Sequence, residues 1–201
     1  MSVETVRGVE AGEASALAGV MARAFEQDPM SVHLLPDAGR RVAALEHAFR
    51  ALLRRVYMPP GECYTTAGVK GGALWMPPGT YPPAARLRLT MLPTFARVFG
   101  LSGMASAMRD INRMERMHPK SRPHWYLAFL GVEPSEQGRG FGGSLLLPVL
   151  GRCDAAATPA YLETSNDRNL PLYLRHGFRV IDECDIPCGP HFWGMWREPR
   201  A

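Results

Sequence analysis

The run WYLAFLGVEPSEQGRGFGGS, residues 125–144, decides how the rest of this chain is read. Its first part, Trp125 to Val132, is aromatic and apolar almost throughout, as a central strand buried on both faces should be. Its last part sets Gly138, Gly140, Gly142 and Gly143 close together and then opens a helical pattern that runs to about Ala157. A glycine-rich turn between strand and helix brings several backbone N–H groups together with no side chains in the way. A helix N-terminus adds roughly +0.5 of an elementary charge. The segment therefore reads as an anion cradle.

Upstream, Val3, Val6 and Val9 alternate weakly, and Ala14, Leu17, Val20, Met21, Ala24 and Phe25 follow at helical spacing. A strand and then a helix are predicted, the helix stopping at Asp28-Pro29 because the residue before a proline is pushed out of the α region. A second helix spans Arg40 to Tyr57, with Leu45, Phe49, Leu52 and Val56 on one side and Arg40, Arg41, Arg50, Arg54 and Arg55 read as a solvated face. Glu62 to Ala67 and Ala73 to Met76 predict a hairpin across Gly68 to Gly72. The proline-rich run from Pro77 to Pro83 introduces a long helical stretch, about 84–118, interrupted at Gly100 to Gly103. Its methionines, Met91, Met104, Met108, Met114 and Met117, are read as core at that spacing. Downstream come a strand at Ala160 to Thr164, a short helix from Leu170 to His176 ended by Gly177, and strands at Phe178 to Asp185 and Phe192 to Trp196.

This order is mixed α/β, and 201 residues suit one domain over 1–201. Within it, 1–123 forms an N-terminal half with a helical insert at about 84–118, and 124–201 forms the core around the cradle. An apolar share of 46% with 21% charged residues excludes a disordered chain. No apolar run is long enough to span a membrane, and acids near the N-terminus argue against a signal peptide, so a cytoplasmic protein without membrane partners is expected. Cys63, Cys153, Cys184 and Cys188 are too scattered for a disulfide framework, and Cys184 with Cys188 lacks a second pair for zinc, so no metal site is assigned. A net charge of +4 favours a small anionic ligand over nucleic acid.

Three anions fit the cradle in principle. A Walker A loop needs a lysine after its last glycine, and Ser144 stands there instead. Gly138, Gly140 and Gly143 satisfy the dinucleotide spacing, with Glu163 following on a later strand. That fingerprint should begin at the strand's end in the first βαβ unit, whereas here Glu133 to Gln137 intervene and the loop lies two-thirds along the chain. The third anion is coenzyme A. The pattern Leu130-Gly131-Val132-x-Pro134-x-x-Gln137-Gly138-Arg139-Gly140-x-Gly142 resembles the acetyl-coenzyme A motif of the GNAT superfamily of N-acetyltransferases. Tyr161 to Ser165, then Asn169 to Tyr173 and Gly177-Phe178, resemble that family's next strand and helix. Outside Trp125 to Pro199 only the order of elements and the neighbourhood of Asp28-Pro29 match.

The resemblance implies a mostly antiparallel sheet flanked by helices, with a coenzyme cleft between two splayed parallel strands. It implies an enzyme that moves an acetyl group from acetyl-coenzyme A to the primary amine of a small molecule by direct attack in a ternary complex, and it leaves a homodimer open. Leu130, Gly131 and Val132 would pair through their main chain with the pantetheine arm, although Gly131 also fits a simple bulge. Gln137, Gly138, Arg139, Gly140, Phe141, Gly142, Gly143 and Ser144 would hold the pyrophosphate, with Arg139 at the rim. Tyr173 would protonate the departing thiolate and touch the coenzyme, or else fill the core. Asn169 would cap its helix or bond the coenzyme, with Asn166 as a rival for the coenzyme bond. Glu163 is the expected base, or else a partner for an arginine. Asp28, Glu26, His33 and His124 are weaker alternatives. Cys153 is expected in the core and not as an acetyl carrier. Two other functions share the loop: a coenzyme A-binding sensor without catalysis, and a peptide or protein N-terminal acetyltransferase in which residues 77–118 form a groove.

Overall fold

The computed structural model describes residues 5–83 and 85–200. Residue 84, the first position of the expected helical insert, and Val3 of the expected first strand lie outside the described residues.

The chain opens with β1 (Val6–Gly8) and α1 (Ala14–Ala24), whose Ala14, Leu17 and Met21 are fully buried at the predicted spacing. The helix ends at Ala24, ahead of the predicted stop at Asp28-Pro29, which is instead a start. Asp28 accepts hydrogen bonds from the backbone N–H groups of Met30 and Ser31, and Pro29 sits in the first turn, so a new helix, α2 (Pro29–Leu34), begins there. An aspartate before a proline is a good N-cap as well as a good terminator. The next helix, α3 (Ala38–Leu52), continues into a π-helical turn at Leu53–Tyr57. Arg41 leaves the solvated face expected of it. It is buried and donates to the carbonyls of Leu35, Glu26 and Pro36 at 2.7, 3.2 and 3.1 Å, tying the α2–α3 connection together.

The hairpin is β2 (Cys63–Thr66) and β3 (Gly71–Met76). It starts earlier than predicted because Gly71 and Gly72 belong to the strand. A Cβ on Gly71 would lie 2.7 Å from the Gly131 carbonyl oxygen, and one on Gly72 would lie 2.8 Å from Leu17, so both serve close packing. The insert is α4 (Ala85–Glu115), broken where Gly100 adopts φ 70° and ψ 164°.

Then follow β4 (Trp125–Val132), α5 (Phe141–Ala155), β5 (Ala160–Thr164), α6 (Leu170–Arg175), β6 (Arg179–Asp185) and β7 (His191–Arg197). Among the described residues the strands form one seven-stranded sheet in the order β1-β2-β3-β4-β5-β7-β6. Every pair is antiparallel except β4 with β5. Those two are paired only at Trp125–Ala160, Tyr126–Tyr161 and Leu127–Leu162. Beyond Leu127 they part, so Ala128 to Val132 on one side and Glu163 and Thr164 on the other border a wedge in mid-sheet. One core lies under α5, built on Leu145, Leu146, Val149 and Cys153, and the other under α1 and α3. Ala128, Phe129 and Leu130 are only half-buried, which corrects the expectation of burial along the whole strand. They face the wedge.

Candidate active site

The wedge opens onto a cavity of about 470 Å³. Its walls are largely apolar. Leu45, Phe49 and Leu52 come from α3, Phe95 and Ile111 from α4, and Ala128 to Leu130 from β4. Met91, Met108 and Met114 line it too, so these methionines do more than fill a core, whereas Met117 packs with Ile186 and Phe192 as expected. An unbranched thioether adapts to an irregular occupant at little cost. No signal in the sequence separates the two roles, because helical spacing buries a side chain equally well against a core or a cavity.

Polar groups gather where the strands part. Glu163 and Ser165 from the end of β5, Asn169 and Tyr173 from the following helical segment, Asp28 from the α2 cap, and Arg88 and Glu115 from α4 all line the cavity. Burial raises the pKa of Asp28 despite its two cap bonds, and its carboxylate lies 3.5 Å from the Ser165 hydroxyl. Burial, and then the charge of Asp28, push the Tyr173 phenol well above its ordinary range. At neutral pH it keeps its proton and is a donor. Its ring packs on Phe178 at 6.0 Å. Among the described residues no arginine forms an ion pair with Glu163. Its ionic neighbour is His118, with Nδ1 3.5 Å from Oε1, both side chains nearly buried. The charge of Glu163 also helps burial hold the Tyr126 and Tyr161 phenols neutral. Arg88 reaches Glu115 at 3.4 Å.

Of the weaker sequence candidates, Asp28 lines the cavity, whereas Glu26 does not, and His33 pairs with Asp110 at 3.0 Å away from it. His124 touches His118. His118 itself, within MHPK between two helix-breaking segments, carries no local signal and was found only through the tertiary fold. Burial raises the Cys153 thiol to about 12 and leaves it without a nucleophilic thiolate near neutral pH. All four cysteines are free.

The glycine loop divides into two kinds of glycine. Gly138 and Gly140 have φ of 76° and 92°, and a Cβ on either would meet nothing within 4 Å, so their requirement is conformational and the space beside them is open. Gly142 and Gly143 instead sit against Leu172 and His176, 3.4 and 3.2 Å from an added Cβ, and let α5 approach α6. The α5 helix begins at Phe141 and presents the unpaired N–H groups of its first turn to the loop. Side chains in the loop face the protein. Gln137 Nε2 donates to the Val132 carbonyl at 3.1 Å, the Ser144 hydroxyl meets the Gly140 carbonyl at 3.4 Å, and Arg139 pairs with Glu136 beside the Phe141 ring. The expected rim arginine thus already has a carboxylate partner. Gly131 is neither a bulge nor a gap kept for a ligand. The register shift falls opposite Leu74 and Trp75, leaving Ala128 as the extra residue, and a Cβ on Gly131 would strike Met21, Ala24 and Phe25 at 2.9–3.1 Å. The main chain of Leu130, Gly131 and Val132 pairs with β3 on one side and has no β5 partner on the other. Asn166, not Asn169, caps the 3-10 turn before α6, by accepting from the Arg168 N–H. The Asn169 side chain is left at the cavity.

The model of the acetyltransferase (GNAT) family matches residues 100–178, the span that includes β4, the loop, α5 and the helix of Tyr173. An uncharacterized N-acetyltransferase of Schizosaccharomyces pombe is 26% identical over 184 residues, covering 85% of this chain and 72% of that protein. A crystal structure titled as histone acetyltransferase HPA2 and related acetyltransferase from Corynebacterium glutamicum superposes with a TM-score of 0.74 at 25% identity, over 98% of this chain and 97% of the other. The fold alone is shared with a polyamine N-acetyltransferase of Drosophila melanogaster (TM-score 0.58, 18% identity, 96% and 99% covered) and with a NatC complex bound to Gag peptide and CoA (0.55, 13%, 98% and 98%). With these likenesses in agreement, the chain is an acetyl-coenzyme A-dependent acetyltransferase, similar over residues 100–178 to the GNAT family.

Proposed function

We propose that the chain acetylates a primary amine of a small molecule by direct attack within a ternary complex, in the cytoplasm, where its four cysteines would stay reduced. The observation that carries this is the cavity at the parting of β4 and β5, apolar along its walls and lined by the carboxylates Asp28, Glu115 and Glu163. A cationic amine on an apolar body fits that combination. Residues of α3 and α4 wall the far side, which favours a compact acceptor over an extended peptide. The runs Leu162 to Ser165 and Arg168 to Pro171, with Tyr173, Gly177-Phe178 and Gly189-Pro190, resemble puromycin N-acetyltransferase and favour the same reading.

Acetyl-coenzyme A supplies an activated acetyl thioester when bound. The residues present fit it, because the loop offers open space at Gly138 and Gly140 beside the unpaired N–H groups of α5, and β4 has a free edge nearby. The N–H groups from Gly138 to Gly143 would hold the pyrophosphate, with Arg139 at the rim; the Ser144 N–H already donates to the Gly140 carbonyl at 3.1 Å, so Ser144 would offer its hydroxyl. Leu130, Gly131 and Val132 orient the pantetheine arm, and Asn169 bonds it at the cavity side. Tyr173 holds the proton that the departing thiolate needs. Glu163 faces the acceptor amine and takes its proton.

A thiol-release assay with acetyl-coenzyme A against aminonucleoside, aminoglycoside-like, polyamine and peptide amines tests this. Turnover with a small amine is expected. Turnover confined to peptides would replace the acceptor, and coenzyme binding without turnover on any amine would leave a sensor module in place of an enzyme.

A further inference from the structure

Behind the cavity wall the rings of Tyr81, Tyr126 and Tyr161 enclose His118. Tyr81 stacks on the imidazole at 4.0 Å, and Tyr126 and Tyr161 meet it edge-on at 4.7 and 5.0 Å. The two nitrogens of His118 have different neighbours. Nε2 lies 3.0 Å from Nε2 of His124, and Nδ1 lies 3.5 Å from Oε1 of Glu163. The other nitrogen of His124, Nδ1, is 2.7 Å from the Arg122 carbonyl oxygen.

Donor and acceptor roles follow from that carbonyl. A carbonyl only accepts, so Nδ1 of His124 carries a hydrogen. Burial disfavours a second proton on His124, which leaves its Nε2 bare. His118 must then donate from Nε2, and in its neutral form it turns a bare Nδ1 toward a carboxylate oxygen. Neither Nδ1 of His118 nor Oε1 of Glu163 has a hydrogen-bond partner, although the side chains are only 8% and 3% exposed. Two buried acceptors facing one another are an arrangement short of one proton.

We propose that Glu163 and His118 act as one base that holds a single shared proton, with His124 as the positioning residue that fixes the His118 tautomer. This rests on the reading of Glu163 as the group that faces the acceptor amine. The amine arrives as an ammonium ion. One of its protons passes to the Glu163 carboxylate and comes to rest between Oε1 and Nδ1, leaving the amine its lone pair. The positive charge moves with the proton from the amine to the pair, and the proton is returned to solvent when the product leaves. An imidazole is by nature a stronger base than a carboxylate, so adding His118 brings the base closer in proton affinity to the ammonium it must deprotonate. Sharing one proton makes the two groups a single base and not two independent ones. The other titratable and charged groups around it are Tyr81, Tyr126, Tyr161 and Tyr57, the Glu115–Arg88 pair on α4, and Asp182 on β6.

Nitrogen-15 NMR of the protein without either substrate, followed from about pH 5 to 9, reads the tautomers directly. His124 is expected as the Nδ1–H tautomer throughout, and His118 is expected to gain a proton at Nδ1 in one step. In Glu163→Gln the amide can donate to Nδ1, and the His118 step should fall by about one pH unit or more. The acidic limb of kcat/KM in the wild type should follow the same step. An Nε2–H tautomer at His124, or a His118 step that Glu163→Gln leaves in place, overturns the proposal. The wild-type spectrum decides the tautomers even if the variant does not fold. Absence of turnover on every amine would overturn the acetyl-transfer reading alone, since the spectra are recorded without substrates.

Discussion

The glycine loop and the proposed acceptor cavity lie at two ends of the β4 edge that has no β5 partner, and they are built by opposite means. The loop is made of main chain. Its positive-φ glycines, Gly138 and Gly140, and the first turn of α5 come from one short stretch of sequence. The cavity is made of side chains delivered by α2, α3, α4, β4, β5 and the helix of Tyr173, from Phe25 to Phe192. A backbone site needs particular conformations at particular spacings, and these leave a local mark. A side-chain site needs only apolar surface of the right shape, which any residue of similar size can supply. The loop can therefore be recognised from residues alone, while the cavity gives little sign of itself before the fold is known.

Three substitutions sharpen or break this contrast. The largest effect is expected where the two ends meet. Tyr173→Phe keeps the ring contact with Phe178 and removes the phenolic donor, and it should lower kcat by about 10²–10⁴-fold while coenzyme affinity stays within a few-fold. An unfolding curve recorded beside the kinetics separates catalysis from packing, and near-normal turnover would return Tyr173 to the core. The next effect belongs to the loop. At Gly140→Asp the obstacle is not crowding, since an added Cβ meets nothing within 4 Å, but a left-handed φ of 92° and a carboxylate at the anion site. The backbone term costs about 1–2 kcal/mol and the charge adds to it, so coenzyme affinity measured by calorimetry should fall by roughly a hundredfold. Unchanged affinity would remove the loop from the site. The smallest effect belongs to the cavity. Met108→Ala deletes apolar contact with the acceptor and should lower kcat/KM for the preferred amine by about tenfold without altering coenzyme affinity. If both substrates weaken together, the two ends are not independent and the contrast fails.

The order of elements was legible in the sequence, down to the break at Gly100 and the strand-loop-helix unit, because hydrophobic periodicity and glycine or proline punctuation are local properties. The start of α2 was hidden because Asp28-Pro29 reads as a terminator, whereas α1 already ends at Ala24 and Asp28 caps the next helix. Arg41 was hidden because an arginine reads as solvated until three carbonyls converge on it.

By itself, then, the sequence determined the kind of fold and the place of the glycine turn between β4 and α5, since a turn between a strand and a helix is specified by a few consecutive residues. Only the tertiary structure decided that Gly131 is a packing glycine against α1, that three methionines border a cavity, and that His118 Nδ1 comes within 3.5 Å of Glu163. Each of these depends on which atoms from distant segments approach within about 3–4 Å, the distance at which packing and hydrogen bonding act. Sequence separation carries no information about that distance, and the parting of β4 from β5 after Leu127 creates it.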